Sequence, residues 1–192
     1  MSQSGETADS IAVMKRCKKA GYPILSITNT EVSTMVGLAD YNLNIFAGKE
    51  IAVASTKAYV AQIVTCAILA KAVSGKQTNL KNNLNRVALA VENVIENKET
   101  IRAMANEIKD AKDVFYIGRG IDYWTCLEAS LKLKEISYIH TEAFSSGELK
   151  HGSIALIEKG TPVIAICTQE GTNAIIRSNL IETKSRGAKT YV

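Results

Sequence analysis

The sequence predicts an α/β protein made of two tandem doubly wound units, each three-layered with a parallel sheet between helices. Three observations carry this. Short apolar runs rich in β-branched residues alternate with segments of helical period. The strongest such runs, 23–28, 113–117 and 162–167, are apolar enough to be buried strands. The two halves of the 192-residue chain repeat a loop, helix and strand order with little residue identity.

Element by element, residues 4–20 read as a helix, because Ile11, Met14 and Cys17 recur every three residues. Its opening Ser4-Gly5-Glu6-Thr7 supplies cap residues and an acid for the first turn. A strand is expected over 23–28, a turn at Asn29-Thr30 and a second, alternating strand over 41–46. Gly48 opens a loop, and a long apolar helix starts near Ser55 and stops at Gly75. Residues 76–110 read as two further helices, one striped by Leu84, Val87, Val91 and Ile95, the other by Ile101, Met104 and Ile108. A strand at 113–117, the tight turn Gly118-Arg119-Gly120 and a helix over 121–137 follow. The chain then reads as loop (145–150), strand (162–167), helix (174–185) and a strand-like run (189–192). The first domain is placed at 1–100 and the second at 101–192. A phosphate-type loop normally follows a strand, and none precedes Ser2; the last strand-like run has no helix after it. Both ends are therefore expected to cut through a fold, as in a fragment of a longer polypeptide or an incomplete gene model.

Composition excludes several classes. With 46% apolar and 22% charged residues the chain is neither disordered nor a disulfide mini-protein. A net charge of +4 without a basic, aromatic-rich cluster argues against nucleic acid. The longest apolar stretch, 59–72, is broken by Gln62, Thr65 and Lys71, so no membrane span is expected. Cys17, Cys66, Cys126 and Cys167 are scattered in apolar surroundings and read as buried free thiols of a cytosolic protein. Two histidines and no metal-ligand spacing leave no metal site or cofactor expected.

Four stretches offer chemistry. Ser2-Gln3-Ser4-Gly5-Glu6-Thr7 sets hydroxyls and an amide at a helix start, where free N–H groups and the dipole favour an anion. Without a cradle lysine, a monophosphate fits better than a triphosphate. The same residues also fit a plain N-cap. Val53-Ala54-Ser55-Thr56 enters the next helix with small residues and a cap candidate, Ser55. Glu128, Lys132 and Glu135 share one helix face, which suits either a solvated ion-pair row or a carboxylate–lysine proton shuttle. His151, between Lys150 and Gly152, is the better acid/base candidate of the two histidines, and His140 reads as structural.

Taken in order with Leu131-Lys132-Leu133-Lys134-Glu135-Ile136-Ser137-Tyr138-Ile139-His140 and Gly147-Glu148-Leu149-Lys150-His151-Gly152, these stretches resemble the isomerase part of the glucosamine-6-phosphate synthase family. That family consists of glutamine–fructose-6-phosphate aminotransferases (isomerizing) with tandem sugar-isomerase (SIS) domains. The resemblance runs along essentially the whole chain. It implies that Ser2, Gln3, Ser4 and Thr7 hold the sugar phosphate and that Val53 and Ser55 line the sugar site. It implies further that Glu135 moves a proton between C1 and C2, that Lys132 assists, and that His151 opens the ring from a neighbouring subunit. A homodimer acting on fructose 6-phosphate, giving glucosamine 6-phosphate, is the expected assembly, in the cytoplasm. The family's glutaminase domain, an upstream phosphate-binding serine loop and a C-terminal lysine tail have no counterpart here. Ser153 stands where the family commonly has proline. A non-catalytic phosphosugar-binding SIS module and a stand-alone sugar-phosphate isomerase are the alternative functions.

Overall fold

The computed structural model describes residues 1–192 and divides them into two compact units, Met1–Glu96 and Asn97–Val192.

In the first unit, α1 (Ala8–Lys19) leads into β1 (Leu25–Thr28), a short α2 (Thr34–Leu38) and β2 (Tyr41–Asn44). The two strands pair in parallel, Leu25 opposite Tyr41, and Ser2 adds a parallel bridge to Thr28. Alternation along β1 builds the layers. On one side Met14, Ile24 and Met35 pack α1 and α2 together. On the other, Ile27 and Ile45 meet Ala58 of α3 (Lys57–Ser74). Helix α3 ends at Gly75, whose φ of +64° is the left-handed cap conformation. Then α4 (Leu80–Glu96) buries none of its residues.

Three expectations change here. The first helix begins at Ala8, four residues later than its period implied, because residues 2–7 make their own loop. The 18-residue α3, with mean hydropathy 1.3, is long and apolar enough to cross a membrane by length and composition. Gln62, Thr65 and Lys71 dilute its apolar character too little to prevent that. Of the cysteines, which are all free, only Cys126 is buried; Cys17 and Cys167 are half-buried and Cys66 is exposed.

The second unit opens with α5 (Glu99–Ile108) and holds a wholly parallel sheet ordered β4-β3-β5-β6. The strands are β3 (Asp113–Gly118), β4 (His140–Ser145), β5 (Pro162–Ala165) and β6 (Lys189–Tyr191). Parallel neighbours need crossovers, which α6 (Ile121–Ser137) and α7 (Glu170–Ser185) supply. Period 2 along β3 separates two cores. Phe115 and Ile117 pack with Val163, Ile176 and Leu180 under α7. Val114 and Tyr116 pack with Ile108, Cys126 and Ile164 under α6. Gly118 is needed at the strand end, since a Cβ there would lie 2.6 Å from the Asp122 backbone. The central strand therefore sits at the sheet's switch point, where β4 lies to one side and β5 to the other.

Candidate functional site

The loop 2–7 is tied to the end of β1. Ser2 N–H donates to the Ile27 carbonyl at 3.0 Å, and Asn29 N–H donates to the Gln3 carbonyl at 3.0 Å. Inside the loop, the Ser2 hydroxyl accepts Gly5 N–H at 3.0 Å and lies 2.7 Å from the Thr7 hydroxyl. The Ser4 hydroxyl accepts Glu6 N–H at 3.2 Å. Ser2 is buried, Gln3 half-buried, and Ser4 and Thr7 exposed. Gly5 has φ +70°, and a Cβ on it would collide with the side chain of Ser33. Thr7 is the residue before α1, yet its hydroxyl makes no cap bond and turns to Ser2 instead. The plain N-cap reading therefore does not describe Thr7.

The loop's own charge is directed elsewhere. Glu6 Oε1 accepts Thr34 N–H at 2.7 Å, at the start of α2, and this bond holds the Glu6 carboxyl below the usual carboxylate range. The first N–H groups of α1 have no intrahelical acceptor and carry the positive end of its dipole. An anion, flanked by three hydroxyls, is the ligand this arrangement suits.

The second stretch behaves differently from expectation. Val53 is 100% exposed, and Ser55 is half-buried. Ser55 does not cap α3. The helix starts at Lys57 after Thr56, and the Ser55 hydroxyl lies 3.4 Å from Glu50 Oε1. That same oxygen accepts Thr56 N–H at 3.1 Å and Ala58 N–H at 3.0 Å. A carboxylate outcompetes a neutral hydroxyl as acceptor at a helix start, since its charge also meets the dipole. Gln3, Asn29, Glu31, Asn44, Lys49 and Glu50, together with Phe46, line a cleft of about 500 Å3 beside the loop.

In the second unit, α6 presents the acid–base group. Lys132 Nζ is 2.6 Å from Glu135 Oε2 and 3.6 Å from Glu128 Oε1. The three side chains are 22%, 31% and 25% exposed, so this is a partly shielded cluster rather than a fully solvated row. The bond to Glu135, reinforced by Glu128, raises the Lys132 ammonium above the ordinary lysine value against a smaller effect of burial. His151 is exposed and closes a short 3-10 turn, Glu148–His151, rather than lying in an irregular loop. Leu149 anchors that turn in the core. Ser153 opens a second such turn, Ser153–Leu156. His140 bonds Asp113 through Nδ1 at 2.7 Å, at the starts of β4 and β3.

Three groups escape a linear reading. Glu6 and Glu50 work through backbone amides of another element, and Asp122 does the same. Buried at the start of α6, Asp122 accepts both the N–H and the hydroxyl of Thr168. Burial raises its carboxyl, but donation from Thr168 and Gln169 prevails and holds it below the usual range. One signal was available for two of them: Glu6 and Asp122 are acids within two residues of a helix start, whereas Glu50 lies seven residues before α3.

Comparison with known proteins bears on this geometry. The chain is 52% identical over 198 residues to the glutamine–fructose-6-phosphate aminotransferase (isomerizing) of Bacillus licheniformis, covering 100% of this chain and 33% of that protein. The Bacillus subtilis enzyme of the same description is 50% identical, with the same coverage. The chain thus spans about a third of the length of the curated relatives it matches. Among solved structures, the C-terminal domain of glucosamine-fructose-6-phosphate aminotransferase from Francisella tularensis superposes with a TM-score of 0.90 at 36% identity. That match covers 98% of this chain and 56% of the other. The SIS domain model matches residues 1–72 and 107–192, which takes in the hydroxyl loop, the α3 entry, the α6 cluster and the His151 turn. Parallel-sheet architecture, the residues that build it and this match agree: the chain belongs to the SIS domain family.

Proposed function

We propose that the complete protein carrying this chain makes glucosamine 6-phosphate from fructose 6-phosphate, using ammonia released from glutamine, and that this chain supplies its phosphosugar-binding and isomerising residues. The observation that carries the reading is the loop 2–7. It gathers Ser2, Ser4 and Thr7 at the start of a 12-residue helix, while Glu6, which would repel a phosphate, is bonded to α2.

Each residue then has a role. Ser2, Gln3, Ser4 and Thr7 hold the phosphate. Val53 and Ser55 bound the sugar. Ammonia replaces the C2 carbonyl oxygen, which leaves as water, giving an imine. The Glu135 carboxylate takes the proton from C1 and returns it to C2, which moves the double bond and leaves the aldehyde at C1 and the amine at C2. Lys132, kept protonated by its carboxylate neighbours, orients Glu135 through the 2.6 Å bond and balances charge that develops on oxygen. His151, exposed on its turn, opens the sugar ring for the neighbouring subunit of a homodimer. A glutaminase domain in the same polypeptide and cytoplasmic residence complete the reading; the names of the relatives support its use of glutamine and fructose 6-phosphate.

Glu135→Gln in the complete gene product tests this. Loss of glucosamine 6-phosphate formation with retained fructose 6-phosphate binding is expected. Near-normal turnover would remove Glu135 from the chemistry. Binding without turnover in the wild-type protein would make it a non-catalytic phosphosugar module.

A further inference from the structure

Between Asn44, the end of β2, and Lys57, the start of α3, lies a connection with no regular structure. It carries Val53 and Ser55, which the proposed function places against the sugar. Loops of this length are mobile unless tied, and side-chain bonds from Asn29, Glu50 and Lys57 tie this one.

The first tie is Asn29, after β1. Its side-chain carbonyl accepts Ala47 N–H at 2.9 Å, and its amide donates to the Gly48 carbonyl at 2.7 Å. The second tie is Glu50. Its Oε1 receives Thr56 N–H, Ala58 N–H and the Ser55 hydroxyl at 3.1, 3.0 and 3.4 Å. Thr56, the residue before α3, provides no cap bond of its own. Glu50 thus caps the helix from six residues upstream and folds the intervening segment into a closed turn. Inside that turn Ile51 and Val53 are exposed, and Ala54 is buried as its footing. Lys57 adds a further bond across the turn, its Nζ donating to the Lys49 carbonyl.

The electrostatics agree. Glu50 lines the same cleft as Gln3 of the phosphate loop, with Glu31 and Lys49 also on its wall. A free carboxylate there would add to the repulsion that Glu31 exerts on a phosphosugar. Bonding to amides at the α3 N-terminus offsets its charge with the helix dipole.

We propose that Glu50 is a positioning residue for the sugar site, whose carboxylate clips the turn that carries Ser55 and Val53 to the first amides of α3. This inference rests on the functional reading above for its substrate, but the clip itself is a property of the first unit.

The test uses the complete gene product. Glu50→Ala is expected to raise KM for fructose 6-phosphate by about 10²-fold, the scale on which loss of orientation is felt. Glutamine hydrolysis should be unaffected. Glu50→Gln, which keeps an acceptor oxygen for the three donors, should recover most of the loss. Ser55→Ala should cost less in the Glu50→Ala background than alone, since both act through one turn. An unchanged KM in Glu50→Ala overturns the proposal. So does Glu50→Gln as damaged as Glu50→Ala, which would assign the group a charge-dependent role. If Glu50→Ala does not accumulate folded, Glu50→Asp, one methylene shorter, replaces it and should raise KM partway. Amide exchange at Thr56 and Ala58 supplies a readout independent of activity. Faster exchange in Glu50→Ala than in Glu50→Gln is expected, and equal rates remove the clip. A wild-type protein that fails to turn over fructose 6-phosphate sinks the functional reading, whereas these exchange rates still decide the clip.

Discussion

The Lys132 ammonium lies 2.6 Å from Glu135 and 3.6 Å from Glu128, so one cation on α6 holds two carboxylates at unequal distances. The inequality separates their roles. Lys132 positions Glu135 by a direct hydrogen bond and meets Glu128 only as a looser ion pair.

Lys132→Met should therefore lower kcat for glucosamine 6-phosphate formation by about 10²–10⁴-fold, with a smaller change in KM. Glu128→Gln should do much less. Steady-state kinetics decides it, and equal effects of the two substitutions would contradict the distinction. Partly exposed ion pairs contribute only about 0–1 kcal/mol, so melting temperatures should barely move.

Gly5→Ala should abolish phosphosugar binding while leaving the fold intact. A Cβ at φ +70° is strained and also runs into Ser33, which anchors the start of α2 through its bond to Val36 N–H. Titration calorimetry with fructose 6-phosphate reads the affinity, and circular dichroism reads the fold. Binding at wild-type strength would mean the loop does not carry the phosphate.

The carboxyls of Glu6 and Glu50 are both held below the ordinary carboxylate range, Glu6 by the N–H of Thr34 and Glu50 chiefly by the N–H of Ala58. Because the folded-state values are depressed, their contribution is present above the unfolded value of about 4.3 and is lost as pH falls through the folded one. The two loops should thus stay ordered at pH 5. Carbon-13 titration of both side chains should give midpoints below that unfolded value; midpoints at or above it would contradict both bonds.

Asp122→Ala removes a buried carboxylate and leaves the part-buried Thr168 N–H without its acceptor, at a cost of about 1–3 kcal/mol. Chemical denaturation should show this loss at neutral pH and a smaller one in acid, where the carboxylate of the native protein is itself protonated. A loss that grows in acid would contradict the assignment.

Burial pushes the Cys126 thiol up to about 12. It should resist alkylation at pH 8 in the native protein and react once denatured, as peptide mass spectrometry can follow. Labelling as fast as the exposed Cys66 would show that α6 opens readily.

Much of the fold is legible in the sequence, where apolar period decides. The run at 113–117 has no polar break and becomes β3; the segment 121–137 becomes α6 with the same limits. Gly75 marks the end of α3 through its lack of Cβ. Two elements escape. Helix α2 is five residues with Gly37 inside, too short to show a period. Strand β4 reads His-Thr-Glu-Ala-Phe-Ser; its buried positions include Thr141 and Ala143, small or polar residues that do not look like core. Among site residues, the hydroxyl cluster is local and shows in the order of residues. Glu6 to Thr34 spans 28 residues and Glu50 to Ala58 crosses an irregular turn, so neither has a periodic signature.

The order of strands around β3 also sets a schedule for biosynthesis. Phe115 pairs with Val163, about 48 residues further along the chain. A ribosome adding roughly 5–20 residues per second leaves β3 without that neighbour for about 2–10 seconds. Through that interval Val114, Phe115, Tyr116 and Ile117, all buried in the finished unit, have β4 as their one strand neighbour, and none until β4 itself is made about 27 residues after Phe115. This segment is where a nascent chain would meet a chaperone or another nascent copy. Charge introduced there would cost folded stability, so relief during translation must come from outside the strand.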